Sequence, residues 1–212
     1  MKSLKTIVAI ATALSLGACA STDLASRDVP MASDVGTAGA SYLPSAEWTL
    51  RDVRVNVPET LPTTEADVYY PMADIVWHGD PVGNRHQQVQ RLMDDGLTAG
   101  LSGLRGGRPV FVDVEVVRFH SLSPKTRNSI GGVHNMLFDM EVRDANTGEV
   151  LVPRQRHKVD LRGYGGRRAL KAERNGQGQK VRIMAHLQNW VADTLSVPQA
   201  MRVTPGARRA AN

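Results

Sequence analysis

The sequence predicts an α+β domain in two layers, a mainly antiparallel sheet of about four to five strands covered on one face by two amphipathic helices. Three observations carry this reading. Runs around Val55, Val114 and Met136 alternate apolar and polar residues with the period of two that a half-buried strand requires. Two stretches, one from about Arg85 and one from Lys180, repeat apolar residues at helical spacing. Between two of the alternating runs, Asp144-Ala145-Asn146-Thr147-Gly148 is built of hairpin-turn residues, which sets the flanking strands antiparallel.

Taken in order, the chain opens with a positive segment, Met1 to Lys5, and an apolar stretch, Thr6 to Leu16, that is too short to cross a bilayer as a helix. Residues 1–18 therefore read as an export signal. Leu16-Gly17-Ala18-Cys19 resembles the bacterial lipobox, a branched apolar residue and two small residues ahead of a cysteine. The resemblance implies that Cys19 is diacylglycerated, that cleavage precedes it, and that the new amine is acylated, palmitate being a usual chain. Ala20, where an Asp would favour the inner membrane, implies the outer one. Residues 19–44 are then the lipidated N-terminus and a tether; Ser21 to Pro44 is Ala/Ser/Thr/Gly-rich without period, and as a coil would average ~27 Å end to end.

The domain is expected over residues 45–197. Trp48 to Val57 forms a strand with Val53, Val55 and Val57 on one face, and Pro58 ends it. After a Pro/Thr-rich loop, Ala73 to His78 makes a second, short strand. His78-Gly79-Asp80-Pro81 reads as the turn into a helix, Asp80 offering its carboxylate to free amides and Pro81 taking the first helical position. From about Arg85 the apolar face is Val89, Leu92, Met93, Gly96, Leu97, Leu101 and Leu104. Its glycines each cost about 1 kcal/mol relative to Ala, which implies close packing against the sheet. Val110 to His120 and Val133 to Arg143 are long strands joined by a polar excursion, and a third strand covers about Glu149 to Leu161. Pro153 marks that strand as an edge or a bulge. Arg162 to Gln179, Gly-rich and basic, reads as a flexible loop. Lys180 to Leu195 is the second helix, and residues 198–212 form a disordered basic tail.

This order, with the DANTGEV run from Asp144 to Val150 at a hairpin, resembles uncharacterised envelope lipoprotein families of Gram-negative bacteria and, more distantly, auxiliary lipoproteins of lipid transport systems. The resemblance spans about residues 48 to 195 and transfers no functional residue apart from Cys19.

Chemistry is sparse. One cysteine excludes an intrachain disulfide and a thiolate zinc site. The six histidines form no close ligand pair; His78 and His86 could meet Asp80 at the helix entry, and His134, on an apolar strand face, reads as a satisfied core histidine. Ser102 lacks the spacing of a nucleophile elbow, and the glycines before Lys180 lack that of a phosphate loop. Asp113 and Glu115 share a strand face, as exposed carboxylates commonly do. No catalytic residue, cofactor or metal is implied. From Arg154 to Arg182, ten Lys or Arg face two acids, Asp160 and Glu173. Within this stretch Arg162, Arg167, Arg168, Lys171 and Arg174 are the candidate residues for an anionic ligand. Losing Lys2 and Lys5 with the signal takes the formal charge from +5 to +3, and an exported chain meets anionic lipid and polymer, not nucleic acid. The expectation is a non-enzymatic lipoprotein of the cell envelope, lipid-anchored at the outer membrane and facing the periplasm. It would act as an accessory module in envelope assembly or transport, with the membrane and an envelope protein as partners. The alternatives are a binder of anionic envelope lipid or polymer and, third, an envelope hydrolase.

Overall fold

The computed structural model describes residues 45–195. The expected export signal, the expected lipidation site Cys19, and the expected tether and basic tail lie outside the described residues. A short 3-10 turn, Ser45–Glu47, leads into β1 (Trp48–Asn56), β2 (Ile75–Val76), α1 (Arg85–Leu101), β3 (Arg108–His120), α2 (Pro124–Asn128), β4 (Gly132–Asp144), β5 (Val150–Gly163), α3 (Gly166–Arg174) and α4 (Gln179–Thr194). The fold is α+β, with one mixed five-stranded sheet in the order β1-β3-β4-β5 and β2 paired to β3 beyond β1.

β3, β4 and β5 form an antiparallel meander, with Asp144 accepting from the amides of Asn146 (2.8 Å) and Thr147 (2.9 Å) at the turn. Gly148 closes that turn at φ +76°, a conformation that side chains resist. β1 runs parallel to β3 because α1 lies between them and carries the chain back to its starting end, the geometry of a strand-helix-strand crossover.

One face of the sheet is the core. Val53 and Val55 of β1, Val110 to Val116 at alternate positions of β3, Met136, Phe138, Met140 and Val142 of β4, and Val159 of β5 meet Val89, Leu92, Met93 and Leu97 of α1 and Ile183, Leu187 and Val191 of α4. An extra residue in β3 between Val116 and Arg118 shifts the alternation, so that Phe119 and not Arg118 points inward. Pro153 sits on the outer strand at another irregularity, where Val142 pairs with Val152 and Met140 with Gln155, so it marks both an edge and a bulge.

Four local expectations change. The N-cap of α1 is Asn84, whose side chain accepts from the Gln87 amide at 3.0 Å; Asp80 is drawn off by Trp77 and Lys180. The small residues of α1 admit α4 and not the sheet, Gly96 lying against Leu187 and Gly100 against the Gln188 carbonyl and Val191. The polar excursion contains one helical turn, α2, capped by Ser123 with Pro124 at its first turn. The stretch from Arg162 to Gln179 is largely helical, because the nine residues of α3 bury Ala169 against the body while their charges face water.

Candidate functional site

The basic stretch converges on Tyr164. β5 ends at Gly163, and the corner Tyr164-Gly165 turns the chain into α3. Arg168, within the first turn of α3, places its guanidinium 4.0 Å from the centre of the Tyr164 ring, and Arg182, in the first turn of α4, approaches the same ring to 3.6 Å. Both guanidiniums are held by the π-face, and Arg182 also donates to the Arg162 carbonyl at 2.6 Å. Hydrogen bonding to Arg168 first, with the positive field of Arg182, draws the Tyr164 hydroxyl below its ordinary pKa.

Two shallow grooves open on this cluster. One, about 310 Å³, is lined by Tyr164, Arg168, Lys171, Asn175, Gln177 and Arg182; the other, about 350 Å³, by Ile130, Gly131, Arg162, Tyr164 and Arg168 among others. No carboxylate lines either. Glu173, the acid of α3, is turned to Arg127 of α2. Among the described residues, Arg162, Arg167, Arg168, Lys171, Arg174 and Arg182 therefore have no carboxylate within ion-pair distance. The structure thus places Arg162 on one groove and Lys171 on the other, with Tyr164 and Arg168 shared between them. Arg167 and Arg174 flank Leu170 along the exposed side of α3, and Arg174 donates to the Leu170 carbonyl. Arg182 joins from another element, which its place in an apolar helix did not foretell. An aromatic ring embedded in the basic stretch was the available signal.

The helix entry is a structural clamp. Arg85, 4% exposed at its side chain, grips Glu65 with two bonds (2.6 and 2.8 Å) and donates to the Asp80 and Pro81 carbonyls and to Gln88. That hydrogen bonding, outweighing desolvation, holds the Glu65 carboxyl below the usual range. Asp80 accepts from the Trp77 indole at 2.8 Å and from Lys180 at 2.6 Å, while His86 is engaged by the Leu61 carbonyl. His78 turns instead to Glu65 at 3.8 Å, and burial lowers its pKa. His78, Asp80 and His86 are adjacent in sequence but serve three different contacts and do not converge.

Asp113 and Glu115 lie on the open face of the sheet in a lattice of cross-strand pairs. Asp113 binds Arg54 (2.5 and 2.7 Å) and Arg143 (3.5 Å), and Glu115 binds Arg154 (3.1 Å), which also reaches Asp139. Each carboxylate faces a guanidinium, the arrangement of a solvated sheet face.

His134 is buried, at 1% exposure, but not satisfied: neither ring nitrogen has a hydrogen-bond partner among the described residues. Desolvation first, then the nearby charge of Arg182, lowers its pKa to about 4, so the ring is neutral in ordinary buffers. It lies beside Leu122, Tyr164, Gln179 and Arg182 behind the cluster, in a pocket with room for about one water. Among the described residues no group of His, Cys, Asp and Glu is arranged to hold a metal ion, and no helix is long and apolar enough to cross a membrane.

Among curated proteins none matches the chain. Solved structures similar to it include the following three. One is a candidate lipoprotein from Caulobacter crescentus CB15, 18% identical over 74% of this chain and 97% of that one, with a TM-score of 0.30. Another, an uncharacterised protein, is 13% identical over 73% and 94%, with a TM-score of 0.37. The third, a dodecamer of a PelC variant from Paraburkholderia phytofirmans, is 14% identical over 70% and 88%, with a TM-score of 0.33. The model of one family matches residues 48–210, the whole of the sheet and helices above, and the chain belongs to that family, the family of unknown function DUF6778.

Proposed function

We propose that this protein is a lipoprotein of the cell envelope, anchored through Cys19 at the outer membrane, with its α+β domain on the periplasmic side. The domain acts there without catalysis, as an accessory module that binds a partner in envelope assembly or transport. The observation that carries the reading is Leu16-Gly17-Ala18-Cys19 at the end of a positive and then apolar leader, the chain's one cysteine standing where a lipid is attached. The domain fits a binding role, because among its described residues Glu65, Asp80, Asp113, Glu115 and Asp139 are spent on clamps and lattices while no carboxylate lines the grooves around Tyr164. Radiolabelled palmitate should enter the full chain and not the Cys19→Ala variant, and that variant should leave the membrane fraction. No label in the parent, with Cys19→Ala still sedimenting with membranes, would overturn the anchor. Crosslinking in intact cells should join the domain to a specific envelope protein, and recovery of none would overturn the accessory role.

A second reading is favoured by the unpaired cations around Tyr164. There the domain takes an anionic envelope lipid or polymer, its phosphates reaching guanidiniums already fixed in place by the ring. Polyphosphate should bind the full chain in a salt-dependent way, and Arg168→Gln with Arg182→Gln should weaken it at least tenfold. Binding indifferent to both would sink the reading.

A further inference from the structure

We infer that the sheet end where β4 starts and β5 finishes is a membrane-docking surface, with Ile130 and Val133 entering the interface of an anionic bilayer while Arg162, Arg168 and Lys171 take its phosphates. The inference rests on the reading that the Tyr164 cluster binds anionic groups, and it names which ones.

The apolar half of this surface is not explained by the fold. Ile130 is 72% exposed and Val133 53% exposed; Met72 and Val82 are exposed as well, so it is the neighbours of Ile130 and Val133 that distinguish them. Isolated exposed aliphatics are ordinary, but these two adjoin the cations. Ile130 lines the same groove as Arg162, Tyr164 and Arg168. Val133 is the register partner of Arg162 across β4 and β5, so the two side chains are neighbours on the open face of the sheet. Leu170, also exposed, stands one helical turn from both Arg167 and Arg174.

Ile130 is also held in place. The Gly131 amide donates to the Thr126 carbonyl at 2.9 Å, and Gly131 adopts φ +72°. Gly165 lies directly on the Ser129 to Gly131 backbone, where a Cβ would collide with it. The turn presenting Ile130 and the corner presenting Tyr164 are thus packed as one unit, and the apolar tip keeps a fixed position relative to the guanidiniums.

Charge complementarity decides the occupant. A soluble polyanion would satisfy the cations and leave Ile130 and Val133 in water. An anionic bilayer supplies phosphates at the level of the guanidiniums and an apolar phase just beneath them. Tyr164, apolar in its ring and polar at its tip, suits the boundary between the two. Each basic residue near such a surface strengthens binding about fivefold, and burying one aliphatic side chain adds about tenfold.

The test uses the full chain carrying Cys19→Ser, so that no acyl chain attaches there and an introduced cysteine is the only thiol. An environment-sensitive fluorophore is placed at Ile130→Cys and, in a second protein, at Asn146→Cys in the hairpin at the far end of β4, roughly 40 Å away at strand rise. Phosphatidylglycerol vesicles should shift the emission of the probe at position 130 to the blue, and phosphatidylcholine vesicles should not. The probe at position 146 should stay silent. The shift should vanish with Arg162→Gln and Arg168→Gln together and in about 0.5 M salt. Unlabelled Val133→Ser, at a position that lines neither groove, should bind phosphatidylglycerol about tenfold more weakly and polyphosphate equally well. A silent probe at position 130, with polyphosphate still bound through Arg168, would overturn the docking surface and leave the anionic site standing. Failure to bind either phosphatidylglycerol or polyphosphate would overturn both. Equal shifts at both positions, or a shift on phosphatidylcholine, would also overturn it.

Discussion

Two side chains show how burial sets energetics at the scale of the residue. His134 has its pKa lowered from 6.5 to about 4, so between those values the unfolded chain takes up a proton that the folded chain refuses. Stability is therefore lost as the pH falls through that window, by about 2 kcal/mol at pH 5 relative to pH 7.5 from this residue. His78 and His157, whose pKa values are lowered by burial, act in the same sense. Urea unfolding of His134→Leu at the two pH values should show a difference smaller by about 2 kcal/mol than in the parent. An unchanged difference would mean that His134 finds a partner. Arg85 is the opposite case, a buried charge with every donor group engaged. Arg85→Ala strands Glu65 and the Asp80 and Pro81 carbonyls, but Glu65 is half exposed, so the loss should be about 2 kcal/mol, below that of a fully buried pair. Arg85→Lys should recover little of it, since an ammonium cannot match the two-pronged contact.

At the scale of the element, the contact between α1 and α4 turns on glycine. Gly100→Ala gains about 1 kcal/mol of helix propensity, yet its methyl group would meet the Gln188 carbonyl and Val191 on α4. Overpacking costs typically 1–3 kcal/mol, so the variant should be destabilised by about 1 kcal/mol, whereas Gly107→Ala, with open space around it, should be neutral or better. Thermal unfolding of the pair checks this, and a stabilised Gly100→Ala would mean that the helices separate freely. Both helices were legible because their apolar periods are long. α3 was not, because it begins at Gly166 behind Gly165, is followed by Gly176 and Gly178, and buries one side chain, Ala169, among its nine residues. A helix that short is stabilised by what it packs on, which local sequence does not record.

At the scale of the whole molecule, among the described residues, the paired charges of the open sheet face differ from the cations around Tyr164, and salt tells them apart. The pairs on the open sheet face are partly solvated, and such pairs contribute about 0–1 kcal/mol each, so 0.5 M salt should move the melting temperature little. The same salt should abolish anion binding at the unpaired cations; loss of both together would mean that the cluster is needed for folding. By itself, the sequence determined the strands and main helices, the edge at Pro153 and the hairpin at Asp144, because each rests on a period or on turn chemistry within a few residues. It also determined the candidates Arg162, Arg167, Arg168, Lys171 and Arg174 as a composition. The tertiary structure alone decided that β1 runs parallel to β3, that α1 yields its glycines to α4, and that Arg182 and Ile130 join the cluster. It decided too that His78, Asp80 and His86 part company. Each of these depends on which distant elements meet, and contacts between residues far apart in the chain leave no periodic mark on either one.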